Sequence, residues 1–222
     1  MNPRALAFSV IGVCALLAAA SVAGAQGIGR LTPHGVKVDT VQYQKKRAVR
    51  LTSLGDTPAG QAYAIVNGAQ FHNGAIEVEV AGKPAEGAGP AARGFIGIAF
   101  RIREGGGEFE CIYLRPTNGR ADDQVRRNHS TQYASIPRFD FAEMRRQWPE
   151  RYESYVDLET GAWTRYRITV EGTKARLYVN GSPQPVLIVN DLKLGDSSGG
   201  VALWIEPGTE GYFARLRITP AR

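Results

Sequence analysis

The densest group of chemically capable side chains lies in residues 115–133, where Arg115, Asn118, Arg126, Asn128, His129, Gln132 and Tyr133 follow one another closely. A hydroxyl-rich ligand presents donors and acceptors together. Arg, Asn and Gln answer that mixture, and a tyrosine ring can cover C–H surface. The same segment can equally be a loop in which arginines and aspartates satisfy each other. His129 could move a proton near pH 7, or simply hydrogen-bond within its loop. Just upstream, Glu110 places a carboxylate in an otherwise apolar run, Phe109-Glu110-Cys111-Ile112-Tyr113-Leu114. Far downstream, Trp204 shares its side of a strand with Ala202 and Glu206, opposite Val201, Leu203 and Ile205. It therefore either stacks against a ligand in a cleft or packs beneath the 115–161 segment. Asp122, Asp123 and His129 could approach a cation, but they form no ligand motif, so no metal is assigned and no cofactor is specified.

Strands must position these groups. Residues 75–80 alternate, with Ile76, Val78 and Val80 toward a core and Glu77 and Glu79 toward solvent. Residues 94–101 put Ile96, Ile98 and Phe100 on one face and the small Gly97 and Ala99 on the other, leaving room above the sheet. Three glycines, Gly105 to Gly107, turn the chain into the run that holds Glu110, as in a hairpin. Alternation returns near residues 163–170, 175–180, 200–205 and 212–218, separated by turn signals such as Asn180-Gly181. Short strands at this spacing predict an all-β sandwich or barrel. Residues 115–161 interrupt the pattern as a long excursion with one short helix near 140–147. Asp140 caps it and Glu143 follows three residues on. Phe141, Met144 and Trp148 share a face that pins the excursion down, and Pro149 stops the helix.

The chain opens like a signal peptide: Arg4, an apolar stretch, then Ala23-Gly24-Ala25. We expect cleavage to divide it into a signal peptide, residues 1–25, and one domain, residues 26–222. The product would be periplasmic or secreted, without a stable membrane span. Cys111 is then the sole cysteine, placed as a buried thiol. Part of the formal charge of +6 sits in Lys45-Lys46-Arg47-Ala48-Val49-Arg50. That run lacks the interleaved aromatics of a nucleic-acid site, so no nucleic-acid partner is expected, and an anionic polysaccharide suits it better. Oligomeric state is not readable.

Residues 109–116, the strand Trp163-Thr164-Arg165-Tyr166-Arg167-Ile168-Thr169-Val170, the Leu177-Tyr178-Val179-Asn180-Gly181 turn, and the endings Gly200-Val201-Ala202-Leu203-Trp204 and Gly211-Tyr212-Phe213-Ala214-Arg215-Leu216 resemble the bacterial 3-keto-disaccharide hydrolase-like domain family. The likeness covers roughly residues 69–219. It implies a concanavalin A-like jelly-roll sandwich of two antiparallel sheets, export, and binding to or action on sugars. Glu110 falls on the family's strand glutamate, while Ile112 stands where a glutamine is usual. The paired-carboxylate Glu-x-Asp-x-x-Glu strand of family 16 glycosidases is absent from the chain. Two function classes follow. One is a non-catalytic glycan-binding or structural, laminin G-like module. The other is a glycoside hydrolase or lyase acting on 3-keto glycosides. There Glu110 or His129 would be the base, Arg115 or Arg126 would stabilise negative charge, and Asn118, Asn128, Gln132, Tyr133 and Trp204 would bind substrate.

Overall fold

A computed structural model describes residues 28–221; the expected signal peptide lies outside them. The strands are β1 (Leu31–His34), β2 (Val36–Tyr43), β3 (Lys46–Ser53), β4 (Ala62–Val66), β5 (Gly74–Pro84), β6 (Ile96–Ile102) and β7 (Phe109–Leu114). Next come helices α1 (Pro116–Gly119) and α2 (Gln124–Asn128), strand β8 (Thr131–Ile136), helix α3 (Phe141–Gln147) and strand β9 (Glu153–Ser154). The chain ends with β10 (Thr164–Glu171), β11 (Lys174–Val179), β12 (Leu187–Val189), β13 (Gly200–Ile205) and β14 (Thr209–Pro220). They form two seven-stranded sheets, sheet A in the order β1-β4-β13-β6-β7-β8-β9 and sheet B in the order β12-β11-β10-β5-β14-β3-β2. All pairings are antiparallel. This is the expected two-sheet jelly-roll sandwich.

Its core follows from period-two alternation. Ile96, Ile98 and Phe100 of β6 and Val201, Leu203 and Ile205 of β13 meet Ile76, Val78 and Val80 of β5 and Tyr166, Ile168 and Val170 of β10. Glu77 and Glu79 face outward, as the pattern requires.

Two regions differ from expectation. Residues 31–53 form three strands, and the basic run lies mostly on β3, after a hairpin tip at Gln44 and Lys45 with φ of 44° and 65°. The 115–161 excursion holds three helices and two strands, not one helix alone. Strand β8 joins sheet A beside β7 and is buried along its whole length. Its Thr131, Gln132 and Ser135 are polar yet interior, so no apolar–polar alternation marks them. Helix α3 forms as expected: Asp140 Oδ1 accepts from the Glu143 amide at 2.8 Å. Met144 is buried and Trp148 half-buried against the core, whereas Phe141 stays 42% exposed.

Candidate functional site

The outer face of sheet A carries the site. Strand registers align Trp204, Gly97, Tyr113, Gln132 and Glu153 in one row across β13, β6, β7, β8 and β9. Gly97 is required at the middle of this row. A Cβ there would lie 2.2 Å from the Ile112 carbonyl oxygen and 2.7 Å from the Tyr113 Cβ. Its missing side chain lets Tyr113 and Trp204 meet over it, ring centres 4.8 Å apart at 35°. The room expected above Gly97 is therefore filled by aromatic rings. A neighbouring row on the same face is small throughout: Ala202, Ala99, Cys111 and Ala134.

Over this floor opens a cavity of about 100 Å³, lined by Trp204, Tyr113, Phe95, Phe141, Glu206 and Asp140, with Cys111, Ala134 and Ile136 below. That is well above the roughly 10–15 Å³ needed to admit a single water, so the cavity can take a group larger than one water. Gly60 fixes two of its walls. Trp204 Nε1 donates to the Gly60 carbonyl at 2.9 Å, and the Gly60 amide donates to Glu206 Oε2 at 3.1 Å. Gly60 has a φ of 76°, a conformation that favours glycine. Burial chiefly, with the nearby Asp140 charge, pushes the Glu206 carboxyl up to about 7, although Arg115 and the Gly60 amide oppose the rise. Glu206 can therefore exchange a proton near neutrality while still reaching the cavity. Burial holds the Cys111 thiol far above its ordinary range, which makes it inert.

One end of the row is closed by a buried polar cluster. Arg115 donates to Glu153 Oε1 at 2.8 Å, to Gln132 Oε1 at 2.5 Å and to the Tyr113 hydroxyl at 3.2 Å. Its guanidinium carbon lies 5.1 Å from the Phe95 ring centre. Arg145 also holds Glu153, at 2.8 and 2.5 Å. Burial alone would raise the Glu153 carboxyl, but these two arginines leave it below the usual range. His129 sits 3.6 Å from Glu153. Burial first, then Arg145 and Arg115, lower its pKa against the pull of Glu153, so the imidazole is neutral at pH 7. Asn118 donates to the His129 carbonyl at 3.0 Å.

The structure thus gathers Arg115, Asn118, His129 and Gln132 in the polar cluster at the end of the row, outside the lining of the cavity, and puts Trp204 in that lining. Trp204 is 2% exposed, so its indole is a wall and not an open platform. Four other candidate residues lie elsewhere. Glu110 and Tyr133 point between the sheets, where both are 0% exposed. Tyr133 donates to Glu110 Oε2 at 2.8 Å, and the Leu194 amide donates to Oε1 at 2.7 Å. Glu110 and His129 consequently occupy opposite faces of sheet A and share no cleft. Strand parity is the cause: Tyr113 and Arg115 face outward together, which turns Glu110 inward. Arg126 and Asn128 stand exposed on α2, where Asn128 bonds Gln124 at 2.7 Å. Asp123 caps that helix. Among the described residues no three His, Cys, Asp or Glu side chains are grouped to hold a metal ion.

Glu206, Asp140, Tyr113 and Phe95 were not singled out from the sequence as site residues. Glu206 carried the usable signal, since it shares Trp204's parity.

No protein-family model and no curated protein sequence matches the chain. Solved structures do. A carbohydrate-binding module, CBM66 from Bacillus subtilis, superposes with a TM-score of 0.54 at 11% identity, over 83% of this chain and 95% of that one. A Bacillus subtilis protein of unknown function with a galectin-like fold gives 0.52 at 11% identity, over 84% and 86%. At such identity the likeness establishes the fold alone: this chain is a two-sheet jelly-roll sandwich.

Proposed function

We propose that the protein is an exported carbohydrate-binding jelly roll that takes one sugar ring, as a monosaccharide or chain end, in the cleft over Trp204 and Tyr113. The observation that carries this is the cavity itself, a space with aromatic walls and two carboxyl groups, Asp140 and Glu206, in its lining. Aromatic surface suits the C–H face of a sugar, and carboxyl oxygens suit its hydroxyls. The fold shared with a carbohydrate-binding module supports the same reading. Export rests on the N-terminal signal pattern.

Glu206 favours a second reading, turnover of a 3-keto glycoside, in line with the family resemblance. A 3-keto group acidifies the adjacent C–H. The Glu206 carboxylate would take that proton, the electron pair would move onto the ketone oxygen as an enolate, and the enolate would collapse to an enone as it expels the glycosidic oxygen, which takes up the proton now on Glu206. With a pKa of about 7, Glu206 is matched to such a transfer. Glu110 is closed to substrate, and His129 lies beyond Arg115.

Calorimetric titration with a panel of monosaccharides, oligosaccharides and 3-keto glycosides tests both. Wild-type protein should bind at least one, and Phe141→Ala should weaken that binding roughly five- to tenfold, about 1 kcal/mol. If turnover accompanies binding, Glu206→Gln should abolish it while affinity changes little. Absence of binding across the panel, or binding indifferent to both substitutions, contradicts the proposal.

A further inference from the structure

The outer face of sheet B, on the far side of the sandwich from the cleft, carries two cross-strand rows of charge. In one, Arg167 and Arg217 flank Glu77, at 3.8 and 2.7 Å. In the other, Lys46 and Arg215 flank Glu79, at 2.6 and 3.1 Å. Each glutamate is shared by two cations, so each row keeps a net positive charge. Arg165 adds another: it donates to the Asn180 carbonyl at 2.8 Å and has no carboxylate partner among the described residues.

Height matters as much as count. The side chains of Arg167, Arg215 and Arg217 are 46%, 64% and 71% exposed, against 34% for Glu77 and 13% for Glu79. A ligand approaching this face meets guanidinium groups first, with the carboxylates recessed beneath. An open groove of about 340 Å³ runs between Arg165, Arg167, Tyr178 and Arg215. Arg167 lies 5.2 Å from the Tyr178 ring centre.

A backbone irregularity reinforces the arrangement. The register of β14 on β5 shifts between Ala214 and Arg217, and Arg215 takes a φ of 56°, which is unusual for a residue with a side chain. Phe213, Leu216 and Ile218 pack inward, so plain alternation would have turned residue 215 inward too. The bulge re-aims Arg215 outward and adds a cation to the groove.

We infer that this face of sheet B is a docking surface for an acidic polysaccharide, a glycan chain with regularly spaced carboxylates. Arg165 and Arg167 stand two residues apart on β10, about 7 Å at roughly 3.4 Å per residue. They therefore present two positive charges along one strand, while the Tyr178 ring, opposite Arg167 on β11, offers apolar contact beside them. A nucleic acid would match the charge, but Tyr43, Trp163 and Tyr212 on this face are packed against one another, and Tyr178 in the groove is not by itself the aromatic series that stacks successive bases. This surface is independent of the cleft.

Polygalacturonate is the probe, with duplex DNA and anionic lipid vesicles as competitors, at low and moderate salt. Wild-type protein should bind polygalacturonate with an affinity that falls as salt rises. Arg165→Gln/Arg167→Gln/Arg215→Gln should weaken binding at least tenfold, and Arg120→Gln, an exposed arginine outside both surfaces, should leave it unchanged. Arg217 and Lys46 still pair Glu77 and Glu79 in the triple variant, and an unchanged melting temperature would verify its fold. No binding at low salt, full affinity in the triple variant, or equal or tighter binding of DNA or vesicles through the same arginines overturns the inference.

Discussion

Glu206 joins two properties seldom found in one side chain: it borders open space, and it is desolvated enough to hold its proton up to about 7, against an ordinary 4.5. The folded state therefore binds this proton more tightly than the unfolded chain does. Its contribution to stability is complete below about pH 4.5 and is lost as pH rises through 7. We predict that wild-type stability, measured by denaturant titration at a series of pH values, declines from about pH 5 to 7 relative to Glu206→Gln, whose amide does not titrate. A flat difference across that window would show that Glu206 is not held this way. Glu110 is the instructive contrast. It too is raised by burial, but it is sealed between the sheets, where it accepts from Tyr133 and Leu194. Its carboxylate is spent on tying the loop after β12 to β7, and that is a structural task.

At the scale of elements, β7 explains why the site was only partly legible. Every residue of β7 is buried on one face or the other, so burial-driven alternation cannot say which parity faces the cleft. Glu110 looked like the cleft residue because it is polar, whereas Tyr113 is the one that lines it. Strand β8 hid for a related reason: its interior Gln132 and Thr131 are polar residues that bond Arg115 and Ser154, so its composition imitates a loop. Caps were legible because they are local. Asp140, Glu143 and Pro149 announce α3 without knowledge of the rest of the chain. That helix matters to the site, since Asp140 both caps it and faces Glu206, and Phe141 follows directly. Asp140→Ala should cost about 1 kcal/mol of stability through the lost cap and should also lower the Glu206 pKa by removing a nearby negative charge. Asp140→Asn should retain most of the stability, because asparagine also caps, yet lower the Glu206 pKa as well. Carboxyl titrations followed by NMR would check this. An unmoved Glu206 in both variants would disconnect α3 from the site.

At the scale of the molecule, the two outer faces differ in character. Sheet A presents aromatic rings over small side chains, and sheet B presents raised arginines over recessed glutamates. The all-β sandwich was legible because turn signals recur between short alternating strands from β5 onward. The strands before it were harder to read, since the edge strand β2 and its neighbour β3 are half-exposed and mix charged with apolar residues. Which residues would meet across the sheet was not legible, because the row from Trp204 to Glu153 depends on registers between strands distant in sequence. That row is the basis of the central claim, that a sugar enters the cleft on sheet A. The most direct measurement is an NMR titration of ¹⁵N-labelled protein with a saccharide that binds it. The Trp204 indole N–H and the Gly60 amide, which sit on the two walls, should shift together and saturate at the same concentration. Shifts confined to sheet B, with both of these signals still, would contradict the claim.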